Sequence, residues 1–319
     1  MAHRVGIIGL GTVGARFVEQ FNLHRDYELV AAWDPDDAAC AAHSAAVEIR
    51  ADAAAVIEAA DAVYIAVPPL FHCEYVEACI AADTAIFCEK PLGIDVAESE
   101  RLVASVEASG LPAGVNFVFS AAPSATGLGR AIEAGEIGDV VRADLRLHFA
   151  QWPRAWHARA EWLTRRDQGG WIREVASHFL FVAARVLGPL VLDAAVVTFA
   201  DGPDGELCEA DAFARFSAGG TPVSMTGTSG GGGPDVVDLT VRGATGCLRI
   251  WDWYRLQSFD GEGWGDRLGD DRVALGAAAY AAQLDELSAM LAGEPHRIAT
   301  FAEALAVQRL VEQTLAAAP

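Results

Sequence analysis

The chain has 319 residues, 52% apolar and 21% charged, with a formal net charge of −21. At roughly 150 residues per domain this length predicts two domains, and the apolar share allows a sizeable core. The acidic balance disfavours a binder of the nucleic-acid backbone, which needs a basic face, and an anionic membrane surface would repel the chain too, so neither partner is expected. Six cysteines (Cys40, Cys73, Cys79, Cys88, Cys208 and Cys247) form no C-x-x-C pair and no tight cluster with histidine. They read as reduced core residues, and no metal is expected. The longest greasy run, residues 179–200, is interrupted by Arg185, Gly188-Pro189 and Asp193 and is too broken to span a bilayer. The first 13 residues faintly resemble a leader, but glycines at 6, 9 and 11 point to a strand and turn in a cytoplasmic protein.

In chain order, residues 4–8 form an apolar strand that meets a glycine turn, and residues 15–23 have helical spacing. Strands follow at 28–33, 62–67, 85–88 and 113–119, with helices at 53–60, 72–82 and 94–109. Strands alternating with helices predict a doubly wound parallel sheet covered on both faces. After about residue 120 the pattern changes. Residues 140–150 alternate, with Val141, Ala143, Leu145, Leu147 and Phe149 on one face, and residues 170–187 are helical. Strand runs at 190–200, 208–217, 222–228, 236–242 and 247–253 are separated by glycine-rich turns, and helices at 277–292 and 301–317 close the chain. Short strands joined by tight turns predict a large, mostly antiparallel sheet. The expected fold is therefore α/β: a Rossmann domain over residues 1–120, then an α/β domain over 121–319 with an open sheet. The final helix is left free to pack back on the first domain.

Gly9-x-Gly11-x-x-Gly14 lies between a strand and a helix. The first glycine permits the turn, the second lets a pyrophosphate approach, and the third lets helix and strand pack. The N–H groups at the helix start, at Thr12 and Val13, face the phosphates. Asp34 ends the second strand about 20 residues further on, where a carboxylate accepts hydrogen bonds from ribose hydroxyls and repels a 2′-phosphate. Pro35-Asp36-Asp37 adds acid and no arginine, which favours NAD over NADP; the bland alternative is a turn aspartate before proline. Pro68-Pro69-Leu70-Phe71-His72 follows the third strand at the ligand edge of the sheet, where His72 either touches a cofactor or simply starts the next helix. Glu89-Lys90-Pro91 follows the fourth strand, as a binding or proton-transfer element or as a surface turn.

Together, in this order and spacing, Gly9 to Gly14, Pro68 to His72 and Glu89-Lys90-Pro91-Leu92 resemble the glucose–fructose oxidoreductase / inositol dehydrogenase / MocA (GFO/IDH/MocA) family over nearly the whole chain. The resemblance implies hydride exchange between a nicotinamide and a carbinol carbon, most often of a sugar or polyol. It assigns Gly9, Gly11, Thr12, Val13, Gly14, Asp34, Pro68, His72, Glu89 and Lys90 to the cofactor. The family's Asp-x-Gly-x-His matches Glu174-Val175-Ala176-Ser177-His178, with Glu for Asp and Ala for Gly. A spacing of four puts Glu174 and His178 on one helical face. Lys90, His178 and Glu174 are then the catalytic candidates. His178 takes the hydroxyl proton, Lys90 stabilises the substrate oxygen, and Glu174 orients His178 or binds a second hydroxyl. Many members carry an arginine where this chain has Ser120, so no anion contact is expected there.

Residues 151–166 hold three tryptophans and four arginines. Trp152, Trp156, His157 and Arg165 are candidates to line a substrate site with Lys90, Glu174 and His178; the alternative is a loop whose indoles plug the core. Trp251 and Trp253 are expected on one strand face, buried under the final helices or at an interface through the open face of the second sheet in a homodimer or homotetramer. Other readings of the chain are a glycoside-cleaving relative that oxidises transiently, and a non-catalytic NAD sensor.

Overall fold

The structure is a computed structural model describing residues 2–157 and 160–317. The chain divides into two units, Met1–Phe117 with Tyr280–Ala306, and Val118–Ala279 with Val307–Pro319.

The first unit runs β1 (His3–Ile8), α1 (Thr12–Leu23), β2 (Tyr27–Trp33), α2 (Asp37–His43), α3 (Ala53–Ala59), β3 (Ala62–Ile65), α4 (His72–Ala81), β4 (Ala85–Glu89), α5 (Val96–Ser109) and β5 (Ala113–Asn116). All five strands are parallel, in the order β2-β1-β3-β4-β5. Strands β3 and β4 are buried along their whole lengths, as continuous apolar runs under helices on both faces demand. Phe17 and Phe21 of α1 pack on Tyr64 of β3, and Phe17 also meets Phe87 of β4, ring to ring. Two expected strands end early. The third stops at Ile65 before the prolines, and the fifth stops at Asn116, where Val118–Ser120 turns as a 3₁₀ helix.

The second unit adds α6 (Pro123–Glu133), β6 (Val140–Phe149), α7 (Ser177–Leu187), β7 (Leu190–Phe199), β8 (Glu209–Ala218), β9 (Thr221–Ser229), β10 (Val236–Gly243), β11 (Cys247–Trp251), β12 (Arg255–Phe259) and β13 (Trp264–Asp266). Helices α8 (Arg272–Leu291) and α9 (Phe301–Ala316) are each divided between the units, at Tyr280 and Val307. The eight strands are ordered β13-β12-β11-β10-β6-β9-β8-β7, and every pairing except β6 with β9 is antiparallel. On β6 the alternation holds for Ala143, Leu145, Leu147 and Phe149, all buried, while Val141 is 55% exposed.

The opposite face is mixed: Val191, Val196 and Phe213 stand exposed on it beside a polar cluster. Asp144 accepts hydrogen bonds from Ser224 at 2.6 Å and from Arg142 and Arg242, and Arg146 reaches Asp238 at 3.0 Å. The expected strand 247–253 ends at Trp251. Asp252 and Trp253 take positive φ, +46° and +72°, and reverse the chain into β12, so the two tryptophans do not share a strand face. Among the described residues no helix is long and apolar enough to cross a membrane.

Candidate active site

In the first unit the candidate residues cluster because the strands are parallel. Every strand delivers its C-terminal end to one edge, and β1 and β3, whose neighbours lie in opposite directions, form the point where an open sheet takes its ligand. Gly9 leaves β1 at φ +99°, and a Cβ there would lie 2.7 Å from the Ala66 backbone. A Cβ on Gly14 would run into the Gly9 carbonyl oxygen, so this glycine sets the helix–strand approach. Gly11 differs. It caps α1 without a side-chain hydrogen bond, and among the described residues nothing lies within 4 Å of a Cβ built on it. The first-turn N–H groups of Thr12 and Val13 therefore open on space that a pyrophosphate would fill.

Asp34 follows β2. Its Oδ2 accepts from the Leu10 N–H at 2.6 Å and its Oδ1 from the Asp36 N–H at 2.8 Å, which pins the carboxylate beside the glycine turn. Each oxygen keeps a lone pair for a ribose hydroxyl. These residues fit a dinucleotide.

After β3, Pro68 opens a 3₁₀ turn and His72 begins α4. The imidazole is buried, with Nε2 2.9 Å from the Val67 carbonyl and Nδ1 3.3 Å from the Leu92 carbonyl. It sits between the loops that follow β3 and β4, and its neutral form has one N–H to donate, which suits the nearer Val67 carbonyl. Burial lowers its pKa to about 4 despite those carbonyls, so it is neutral near pH 7.

Glu89 ends β4, Lys90 follows it, and both are buried. The Tyr64 hydroxyl donates to Glu89 Oε1, and Asn116 Nδ2 donates to the same oxygen at 2.6 Å. Gln283 of α8 donates to Asn116 Oδ1 at 3.2 Å, and the Lys90 N–H reaches Glu89 Oε2 at 3.1 Å. Burial, and then the Glu89 charge, hold the Tyr64 phenol well above its ordinary pKa, so it stays a donor. Tyr64, Asn116 and Gln283 escaped the sequence reading. No motif links residues so far apart, and a buried Tyr in an apolar strand looks like core.

In the second unit Glu174 and His178 do not lie on one regular α-helix. Ile172–Ala176 is a π-helical turn, and α7 starts only at Ser177. Such turns are frequent at functional sites. This one is clamped at its start. Arg173 donates to Glu312 through Nε and Nη2, both at 2.7 Å, and through Nη1 to the carbonyls of Arg166 and Gly169. The Ile172 N–H donates to buried Glu209 at 2.6 Å. Burial raises the Glu209 pKa to about 7, against the pull of that backbone hydrogen bond.

The His178 ring is buried against a stacked pair, Phe119, whose ring centroid is 5.9 Å away, and Trp253, at 6.1 Å. Trp152 donates Nε1–H to the Leu163 carbonyl at 3.1 Å, while Trp156 is 46% exposed. Arg165 pairs with Glu206 at 2.8 Å. The side chain of His157 lies outside the described residues. Ser120 is buried in its 3₁₀ turn. Trp253 and Arg154 complete this group, and neither had been singled out for it: a turn at Asp252-Trp253 carries no glycine to announce it, and Arg154 was one of four arginines in its stretch.

Residues 3–117 match the model of an oxidoreductase family with an NAD-binding Rossmann fold, GFO/IDH/MocA. The chain is 33% identical over 199 residues to a putative UDP-kanosamine synthase oxidoreductase subunit of Amycolatopsis mediterranei, covering 59% of this chain and 53% of that protein. It is 29% identical to an inositol 2-dehydrogenase of Rhizobium meliloti, covering 66% of this chain and 63% of that one. The chain spans about half the length of the curated relatives it matches. In fold it is similar to a 3-ketoreductase from Actinomadura kijaniata solved with NADP and TDP-benzene, with a TM-score of 0.82 at 20% identity over 100% of this chain and 98% of that one. With the glycine turn and the five parallel strands in place, residues 3–117 are the NAD-binding Rossmann domain of the GFO/IDH/MocA oxidoreductase family, and the chain as a whole shares the fold of a putative myo-inositol dehydrogenase from Sinorhizobium meliloti.

Proposed function

We propose that this protein is an NAD-dependent oxidoreductase that moves a hydride between nicotinamide and a carbinol carbon of a small sugar, polyol or similar hydroxylated substrate. One observation carries the reading: the glycine turn, Asp34 and the Glu89-Lys90 pair stand on a single edge of one parallel sheet, beside the glycine-capped start of α1. Gly9, Gly11, Thr12, Val13, Gly14 and Asp34 would hold the dinucleotide, with Pro68 and His72 shaping the adjoining loops. The pinned Asp34 carboxylate favours NAD over NADP, since a 2′-phosphate would meet a fixed negative charge.

When bound, the nicotinamide supplies hydride acceptance or donation. The chain's own residues handle the proton and the oxygen. Lys90, its backbone held through Glu89, would donate to the substrate oxygen and offset charge developing there. His178, oriented by the rings it packs against, would take the hydroxyl proton, and Glu174 would orient it or bind a second hydroxyl. Trp152, Trp156, His157 and Arg165 are proposed around the substrate. The similar proteins are named for inositol and for nucleotide-linked sugars, which supports a hydroxylated ring substrate. We further propose a cytoplasmic homodimer or homotetramer, in keeping with six unpaired cysteines; light scattering that returned 33.6 kDa would refute the assembly.

The test is a spectrophotometric screen of NAD reduction over aldoses, polyols, uronates and hydroxy acids. Reduction of NAD by at least one class is expected. Silence across all of them, with NAD bound, would turn the reading to a sensor.

A further inference from the structure

The second unit contains a cation that the proposed chemistry does not use. Arg154 follows β6 and folds back among aromatic rings. Its Cζ lies 5.6 Å from the ring centroid of Phe149, 5.8 Å from Trp152, 4.7 Å from Trp156 and 5.2 Å from Trp253. Its Nε is buried and meets no hydrogen-bond partner among the described residues. A desolvated guanidinium is costly unless paired, and cation–π contacts offset only part of that cost. Burial accordingly lowers the pKa of Arg154. Glu174, Asp235 and Tyr254 favour the cation, and Arg272 opposes it.

The place of this cation is informative. Trp253 shares one indole between Arg154 and His178, with centroids 5.2 Å from the guanidinium carbon and 6.1 Å from the imidazole. A tryptophan at φ +72° is a strained choice, and strain of this kind gathers at functional sites. The strained turn therefore holds one indole against both a histidine and a guanidinium whose Nε lacks a partner among the described residues. Ring contacts use the π face of a guanidinium and do not satisfy its N–H groups, and the Nε–H of Arg154 has no acceptor among the described residues. A planar, singly charged carboxylate fits the N–H edge of a guanidinium through two parallel hydrogen bonds. A dianionic group suits it less, with Glu174 and Asp235 near and a chain of net charge −21.

We propose that Arg154 is the specificity-determining residue of this site and that it takes the carboxylate of a hydroxylated acid, such as a uronate, whose carbinol is presented to His178. This rests on the oxidoreductase reading, which names no charge on the substrate.

The test compares kcat/KM for gluco-, galacto- and mannuronate with that for their parent aldoses and aldose 6-phosphates, using the full chain and NAD. At least one uronate should exceed its parent aldose by at least about tenfold. Arg154→Gln should reduce that ratio about 10–100-fold, the size expected on losing a hydrogen bond to a charged group, with Arg154→Lys between the two. The wild-type ranking alone decides if a variant fails to fold. Equal use of acid and aldose, or preference for a 6-phosphate, overturns the proposal and leaves the oxidoreductase reading intact. If NAD is never reduced, calorimetry of the NAD-saturated protein separates the two ideas. Uronate binding that Arg154→Gln abolishes upholds the Arg154 site and removes the oxidoreductase reading. Absence of uronate binding to the wild type overturns the Arg154 proposal.

Discussion

The indole of Trp253 stands edge-on to the imidazole of His178, with ring centroids 6.1 Å apart and planes at 75°. Phe119 meets the same imidazole at 81°, and stacks nearly parallel to Trp253 at 7°. A histidine packed against two rings has few rotamers left. That restriction suits a proton acceptor that must meet a hydroxyl in one orientation.

The glycines of the first turn separate into two kinds, and substitution should distinguish them. Gly14→Ala forces a methyl into the Gly9 carbonyl, and should cost about 1–3 kcal/mol of stability, the usual range for overpacking. Gly11→Ala meets open space at a negative φ, so its melting temperature should match the wild type. Its NAD affinity should still fall at least about tenfold, because the methyl occupies the phosphate approach. Thermal melts paired with NAD titration check both. Unchanged NAD affinity in Gly11→Ala would remove the phosphate role.

Asp34→Ala should lose about 10–100-fold in kcat/KM for NAD, the magnitude of a lost charged hydrogen bond. Its efficiency with NADP should rise as repulsion of the 2′-phosphate is relieved. The wild type must prefer NAD. Equal efficiency with NADP would refute the assignment.

Lys90→Met and His178→Ala should each lower kcat by about 10²–10⁴-fold, the contribution of a positioned acid or base. NAD affinity, read by fluorescence, should change far less. Glu174→Gln should cost less than either, since it keeps the shape and some of the hydrogen bonding. Retention of more than about a tenth of wild-type kcat by both of the first two variants would be too small a loss for acid–base chemistry.

Glu209 gives stability a pH dependence opposite to that of most carboxylates. Its folded pKa is raised from 4.5 to about 7 by burial, so the folded chain binds the extra proton. Its stabilising contribution is complete below about 4.5 and is lost as pH rises through about 7. The change is roughly 3 kcal/mol at 1.36 kcal/mol per pKa unit. Arg173 and Glu312 also face this group and set the exact midpoint. Denaturant melts from pH 5 to 8 should show the decline in the wild type and a flatter profile in Glu209→Gln. Matching slopes would show that Glu209 ionises as freely as an exposed carboxyl.

His72 acts in the other direction. Its folded pKa is depressed from 6.5 to about 4, so its contribution is present above 6.5 and lost as pH falls through 4. His72→Gln, which keeps one donor for the Val67 carbonyl, should lose stability at pH 7 and show a shallower acid limb. An NMR titration placing the imidazole near 6.5 in the folded protein would contradict this.

Much of the architecture was legible in the chain, and for local reasons. The glycine turn, the apolar strands and the alternation of β6 are short-range consequences of sterics and side-chain period. They announced the parallel sheet, the mostly antiparallel sheet, and the placement of Gly9, Asp34 and Lys90 at strand ends. Helix α6 was not legible. Gly127 and Gly129 argue against a helix by propensity, yet Gly127 is where Leu256 packs against it, since a Cβ there would lie 2.8 Å from that side chain. The π-helical turn before His178 also has no local cause; it is held from outside by Glu209, 37 residues later in the chain, and by Glu312. The turn at Asp252-Trp253 lacks glycine because the contacts of Trp253 with His178 and Arg154 compensate its strain. The sequence by itself determined the five parallel strands, the core strands of the second sheet and the residues that stand at the first sheet's ligand edge. Only the tertiary structure decided what surrounds the histidine and the arginine, because burial and ring packing arise between segments that no sequence period connects.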